Sequence, residues 1–364
     1  MDFFSSLLQS AVNQGASDIH IKPDHRATLR IAGALVPVAA DPLSKELIAE
    51  VVHHILPAHQ VERLAREKEV DFSYLHDNRW RFRVNVFYQR GDLCLAMRYV
   101  KTKVPSFSDL ALPEQLAKIA TAENGIVFVT GTTGCGKSST LAAMLDCINL
   151  HEQCHIITLE DPIEYIFKDS KSVIEQREIG LDTMSFTSAL VHVMRQDPDV
   201  IVIGEMRDSA SFMAALAAAD TGHLVLTTLH TTTAASTIGR VLDFFPAEER
   251  DQIRRQIATS LRAVICQRLV PAIAGSVVPA VEILINTPMV RKLIEENRLD
   301  KLAAAIETGN EDGMQSFNQS LLKLVKAKRI TEAEAMAKAT NPDALKMNLR
   351  GIFLDESRRI MSST

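Results

Sequence analysis

Apolar and polar residues alternate most regularly between Arg79 and Val100. Trp80, Phe82, Val84, Val86 and Tyr88 take the even positions, with Arg81, Arg83 and Asn85 between them. Leu93, Leu95, Met97 and Tyr99 then fall on odd positions. A period of two marks a strand with one buried face. A tight turn at Arg90-Gly91 would set Phe82 opposite Tyr99, Val84 opposite Met97 and Val86 opposite Leu95. Both alternations demand that one register. It also sets Arg83 directly across from Arg98 on the other face. Two guanidinium groups side by side repel, so the pair either awaits an anion or an acidic partner or forms a solvated basic face.

The remaining pattern divides the chain. Thr28–Val38 reads as two short strands pivoting at Gly33, and Ser44–Lys68 carries helical spacing that Pro57 should split in two. Residues 1–100 are therefore expected to form a small α+β domain. Lys101–Pro113, with Pro105 and its serines, reads as a linker. Beyond it, Gly125–Thr130, His155–Leu159, Asp199–Gly204 and His223–Leu229 are short, nearly continuous apolar runs. Such runs suit parallel strands buried on both faces. Helical segments at Ser138–Leu150, Ser185–Gln196 and Ser209–Ala219 lie between most of them, and that alternation predicts an α/β core over 114–285 with a mainly parallel sheet. Val277–Ile285 is strand-like. A helical region over 286–364 should hold three or four helices across Met289–Lys346 and a charged tail.

Composition narrows the class. The 364 residues are 46% hydrophobic and 23% charged, the balance of a soluble globular protein. A net charge of −5 argues against broad nucleic-acid binding. No run of about 18 apolar residues is present to span a membrane, and Met1-Asp2-Phe3-Phe4 lacks the basic start of a signal peptide. Cys94, Cys135, Cys147, Cys154 and Cys266 form no C-x-x-C pair, which fits a reducing cytoplasm and argues against structural zinc.

Chemistry enters at Gly131-Thr132-Thr133-Gly134-Cys135-Gly136-Lys137-Ser138, which satisfies G-x-x-x-x-G-K-[ST] between an expected strand and an expected helix. The glycines let backbone N–H groups approach phosphate oxygens, and the helix N-terminus adds partial positive charge. Lys137 offers a cation to the β/γ-phosphates of ATP, and Ser138, followed by Ser139, offers a hydroxyl to Mg²⁺. Cys135 sits at the mouth of that helix beside Lys137, a setting expected to lower its thiol pKa, the alternative being that it merely fills a small-residue position that Ser or Thr would also suit. Asp199–Glu205 reads as a strand delivering an acid at its carboxyl end, where ligands of parallel sheets bind, so Glu205 should approach the metal. Glu160-Asp161-Pro162-Ile163-Glu164 sets three acids past another strand. Glu164 is a candidate to orient and deprotonate an attacking water, the alternative being a plain acidic loop. His223 and His230 bracket a further apolar strand. His230, at the carboxyl end, is placed like a γ-phosphate sensor or is structural; His223 reads as a strand-start histidine.

Taken in order, the phosphate loop, Glu160–Glu164, Ile203-Gly204-Glu205 and Thr221–His230 resemble the secretion-ATPase superfamily. Within it, Ala16-Ser17-Asp18-Ile19-His20, Arg79–Arg90, Arg195–Asp199, Phe245-Pro246 and Gly313–Phe317 resemble the retraction ATPases of type IV pili, the PilT and PilU family. The resemblance implies a PAS-like N-terminal domain, a RecA-like core and a homo-hexameric ring that hydrolyses ATP with Mg²⁺ and retracts pili in twitching motility. It implies Glu164 as general base, Glu205 as Walker B acid, and Arg83 and Arg98 reaching nucleotide phosphates. His223, Arg195 and Arg240 match further family positions near nucleotide. Implied partners are an inner-membrane pilus platform protein and a paralogous retraction ATPase, with no nucleic acid, at the inner face of the cytoplasmic membrane. Pro288–Ile294 departs from the Ala-Ile-Arg core usual in PilT, and Phe87–Arg90 with Gly313–Phe317 leans toward PilU. Cys135 stands where relatives usually carry Ser or Thr. Alternatives are a pilus extension or type II secretion ATPase, a nucleotide-gated binding module with little turnover, and a nucleic-acid translocase. The extension and type II secretion relatives typically add a C-x-x-C module.

Overall fold

The computed structural model describes residues 2–352 apart from 32, 78, 101 and 102. Two compact units divide the chain: Met1–Lys103 with Pro162–Ile166, and Val104–Asp161 with Phe167–Thr364.

In the first unit, strands β1 (Asp18–Ile21), β2 (Thr28–Ile31), β3 (Ala34–Pro37), β4 (Glu69–His76), β5 (Trp80–Gln89) and β6 (Asp92–Tyr99) form one sheet in the order β3-β2-β1-β6-β5-β4. Every neighbouring pair is antiparallel. Helices α1 (Asp2–Asn13), α2 (Lys45–Ile55) and α3 (Val61–Glu67) bury Phe4, Leu8, Ile48 and Val52 in a core shared with Phe82, Val84, Val86 and Met97. Chain reversal between β5 and β6 needs two left-handed residues, and Arg90 and Gly91 supply them at φ 54° and 87°. Phe82↔Tyr99, Arg83↔Arg98, Val84↔Met97 and Val86↔Leu95 pair in the expected register. Pro57 lies between α2 and a short 3₁₀ turn leading into α3, as its ring requires. Strands β1 and β4 and helix α1 are additions to the expected set. This is the PAS-like α+β unit.

The second unit is built on a seven-stranded sheet in the order β13-β12-β7-β11-β10-β8-β9. Its strands are β7 (Gly125–Thr130), β8 (His155–Glu160), β9 (Val173–Glu178), β10 (Val200–Ile203), β11 (Leu224–Leu229), β12 (Leu261–Pro271) and β13 (Val277–Ile285). All neighbours run parallel except β12 and β13. Side chains of β7 alternate between two cores. Ile126 and Phe128 enter the one that includes Phe212, Ile238 and Ile257. Val127 and Val129 enter the other, with Leu116, Met144 and Leu145. Helices α4 (Gln115–Ala120) and α5 (Lys137–His151) thus cover one face, and α6 (Phe186–Val193), α7 (Ser209–Asp220), α8 (Ala234–Leu242) and α9 (Arg250–Ser260) the other. The layering is that of a RecA-like core.

After β13 come α10 (Pro288–Glu295), α11 (Leu302–Thr308), α12 (Phe317–Lys326), α13 (Glu332–Lys338) and α14 (Pro342–Leu349). Among the described residues there are five helices, where periodicity suggested three or four. Short α11 and α13, seven residues each, carry too few turns to show a stripe. The charged tail from residue 353 lies outside the described residues.

Candidate nucleotide site

Parallel strands bring four sequence segments to one edge of the core sheet. Leu229 pairs with Thr130, Ile203 with Thr227 and with Leu159, so β7, β8, β10 and β11 end side by side. The loops leaving them carry Gly131–Lys137, Glu160-Asp161, Glu205 and His230.

The phosphate loop turns through left-handed backbone at Gly131, Gly134 and Gly136, with φ of 150°, 77° and 91°. A Cβ on Gly131 would come 2.5 Å from the carbonyl oxygen of Gln267, and one on Gly136 2.9 Å from its amide nitrogen. Only glycine fits these two places. Gly136 is the N-cap residue of the 15-residue helix α5, whose positive dipole end therefore lies at the loop. Thr132, Thr133 and Gly134 are exposed, while Cys135 and Lys137 are buried.

The Lys137 ammonium donates to the carbonyls of Gly131 at 3.0 Å and Thr132 at 3.2 Å, and lies 3.4 Å from Nδ1 of His230. The other imidazole nitrogen, Nε2, is 3.2 Å from Glu205 Oε1. Glu205 Oε2 in turn accepts from Arg207 Nη2 at 2.9 Å, and Arg207 lies 3.9 Å from Asp161. A proton on Nε2 satisfies both contacts of His230, leaving Nδ1 to accept from the lysine. Lysine, histidine, acid and arginine therefore form one polar chain along the sheet edge. Thr228 Oγ1 donates to the Gly204 carbonyl at 2.6 Å, fixing the end of β10 against β11. Glu160 accepts from Thr158 at 2.7 Å and from Gln176 at 3.1 Å, which ties it into the sheet.

Other expected residues lie elsewhere. His223 precedes the opposite end of β11, where Leu224 pairs with Gly125, and its Nδ1 bonds the Ala218 carbonyl at 2.8 Å. The expectation of a nucleotide contact from His223 is corrected: the strand separates it from the loop by its whole length, and it closes α7 onto β11. Arg195 is exposed just past α6, and Arg240 stacks over the Phe244 ring at 5.3 Å in the last turn of α8. Both stand at trailing ends of helices, which a parallel sheet carries away from the carboxyl edge. In the first unit, Arg98 Nε donates to Asp18 at 2.8 Å, so its acidic partner comes from β1 of the same sheet. Burial raises the Asp18 carboxyl, but hydrogen bonds from Ser17 and Arg98 outweigh it and hold the group below 3.8. Arg83 is exposed. Glu164 belongs to the first unit by its contacts.

The thiol expectation is also corrected. Burial pushes Cys135 above its ordinary 9.0, outweighing the charge and the N–H of Lys137. Two neighbours of the site were not anticipated. Arg207 lies two residues past the strand acid, a position a basic residue there could have flagged. Gln267 interrupts an apolar strand, and its polarity was the available signal.

A family model described as type II/IV secretion system protein matches residues 1–349. This chain belongs to that family. Among its relatives, the type IV pilus retraction ATPase PilT of Pseudomonas aeruginosa is 40% identical over 93% of this chain and 98% of its own length. The type IV pilus ATPase PilU of the same organism is 38% identical over 95% of this chain and 91% of its own. A crystal structure of the pilus retraction motor PilT with bound ADP superposes with a TM-score of 0.87 at 40% identity, covering 94% of this chain and 98% of that one. The resemblance read from the ordered motifs is borne out, and so are the two fold types it implied for this secretion-system protein.

Proposed function

We propose that this chain is an ATPase that converts hydrolysis into mechanical work on a type IV pilus, retracting it. The observation carrying the reading is the convergence of Lys137, His230 and Glu205 behind a glycine-built phosphate cradle. In the proposal, amides of residues 134–138 and Lys137 bind the β/γ-phosphates. Ser138 and Glu205 are the hydroxyl and carboxylate donors that a magnesium site with phosphates needs. The donor set fits such a complex, since Ser138 lies in the first turn of α5 and Glu205 is linked through His230 to Lys137 beside it, and bound Mg²⁺ would neutralise developing phosphate charge. Glu164 acts as the base that orients water, and His230 links the γ-phosphate end of the site to Glu205. Arg83 and Arg98 reach phosphates of a neighbouring copy in a ring of six.

The same reading places the ring at the inner face of the cytoplasmic membrane, against a pilus platform protein. Among the described residues no helix is long and apolar enough to cross a membrane. Near-equal identity to PilT and PilU supports either a main motor or an accessory one working beside a paralogue. Deleting the gene and scoring twitching and surface pili tests the proposal. Excess immobile pili are expected for a main motor, and retraction that fails only under load for an accessory one. Loss of pili would identify an extension motor instead and sink the reading.

A further inference from the structure

Gln267 is 4% exposed and lies on β12 directly behind the phosphate loop, where Cys266 pairs with Thr130 at the end of β7. Its amide makes two bonds, both to the loop and its helix. Nε2 donates to the Cys135 carbonyl at 2.6 Å, and Oε1 accepts from Thr140 Oγ1 at 2.7 Å. Thr140 is itself 1% exposed, in the first turn of α5. A side-chain amide used at both ends fixes two points of the loop relative to the sheet.

The bond to Cys135 has a geometric consequence. A trans peptide holds its C=O and the following N–H antiparallel. With the Cys135 carbonyl drawn back onto β12, the N–H of Gly136 must point the other way, toward the concave side of the loop. Glycine at 136 would otherwise allow this peptide to flip at little cost. We infer that Gln267 is a positioning residue for nucleotide: it holds the Cys135–Gly136 peptide so that an amide of the phosphate loop faces the phosphates. The requirement is mutual, since a Cβ on Gly136 would sit 2.9 Å from Nε2 and expel the amide. The inference rests on the proposal that this loop binds nucleotide phosphates.

The test titrates the full-length protein with ADP, in wild type, Gln267→Met and Gln267→Glu. Melting temperatures without nucleotide are measured alongside. Gln267→Met keeps length and apolar packing but cannot donate, and should weaken ADP about 10- to 100-fold, the loss of one aligned hydrogen bond to a charged ligand. Gln267→Glu can donate to the carbonyl only when protonated, a form that burial favours. Its ADP affinity relative to wild type should therefore improve from about pH 8 to about pH 6. A purely structural role would lower melting temperature without giving this proton-dependent recovery. Should Gln267→Met fail to fold, the pH series on Gln267→Glu decides. The inference is overturned by a Gln267→Met protein that binds ADP within about threefold of wild type, or by a Gln267→Glu protein as weak at low pH as at high. Wild type that binds no ADP would instead overturn the nucleotide reading.

Discussion

Cys135 shows how one residue can be misjudged from its neighbours in sequence. A helix N-terminus and an adjacent lysine both favour thiolate, yet the side chain is only 4% exposed. Desolvation then outweighs both. Maleimide should label Cys135 slowly with or without ADP, no faster than Cys147 and Cys154, which are half-buried. Peptide mass spectrometry over a labelling time course reads this directly. Rapid, ADP-protected labelling of Cys135 with loss of ATPase activity would restore the low-pKa view. Cys266 is fully buried, and its thiol is pushed well up by burial and by the charge of Glu282, so it should be the last to react.

At the scale of elements, legibility followed the number of buried faces. The β5–β6 hairpin could be registered residue by residue because one apolar face repeats through Val84, Val86, Leu95 and Met97. Strands β7, β10 and β11, buried on both faces, announced themselves as apolar runs. Edge strand β9 did not, since Glu175, Gln176, Arg177 and Glu178 belong to a strand covered on one side only. Strand β12 was hidden by Arg262, Gln267 and Arg268, and the last two serve contacts outside their own strand. Gln267 clamps the loop, while Arg268 lies 3.8 Å above the Phe317 ring and donates to the Lys338 carbonyl at 2.8 Å. Glu164, Glu205 and Lys137 were readable as chemistry, but the Lys137–His230–Glu205–Arg207 order depends on strand registry that no local pattern contains. Strand β13 adds a testable element. Its Glu282 is buried and accepts from the first amide of α8, Ala234, at 2.9 Å. Burial raises its pKa above the ordinary 4.5 despite that bond. A raised folded-state pKa means stability that is present below 4.5 and lost as pH rises through the folded value. Glu282→Gln, which keeps an acceptor without a charge, should therefore gain on wild type as pH climbs through that window. Parallel denaturant titrations across pH would show it; a constant difference would mean that Glu282 does not titrate on folding.

At the scale of the whole molecule, the proposed ring requires residues of one copy to complete the site of the next. Arg83→Ala/Arg98→Ala subunits and Lys137→Ala subunits should each be inactive alone, since arginines reaching a transferred phosphate contribute about 10³–10⁵ in rate. Mixed rings should recover part of the ATPase activity, because some interfaces then pair an intact loop with intact arginines. Absence of recovery in rings shown to be mixed would rule out action between copies. Sheet order carries a different consequence, one that concerns synthesis. Strand β7, which bears the phosphate loop, is flanked by β11 and β12 and by no strand that precedes it. A growing chain that has reached residue 160 thus holds the complete glycine motif on a strand with neither neighbour yet made. At ribosomal speeds, on the order of 10 s pass before β12 can close beside it. Both edges of β7 stay open to mispairing until β11 is made and one until β12 follows, and nucleotide meanwhile has no finished cradle with which to stabilise the newborn core.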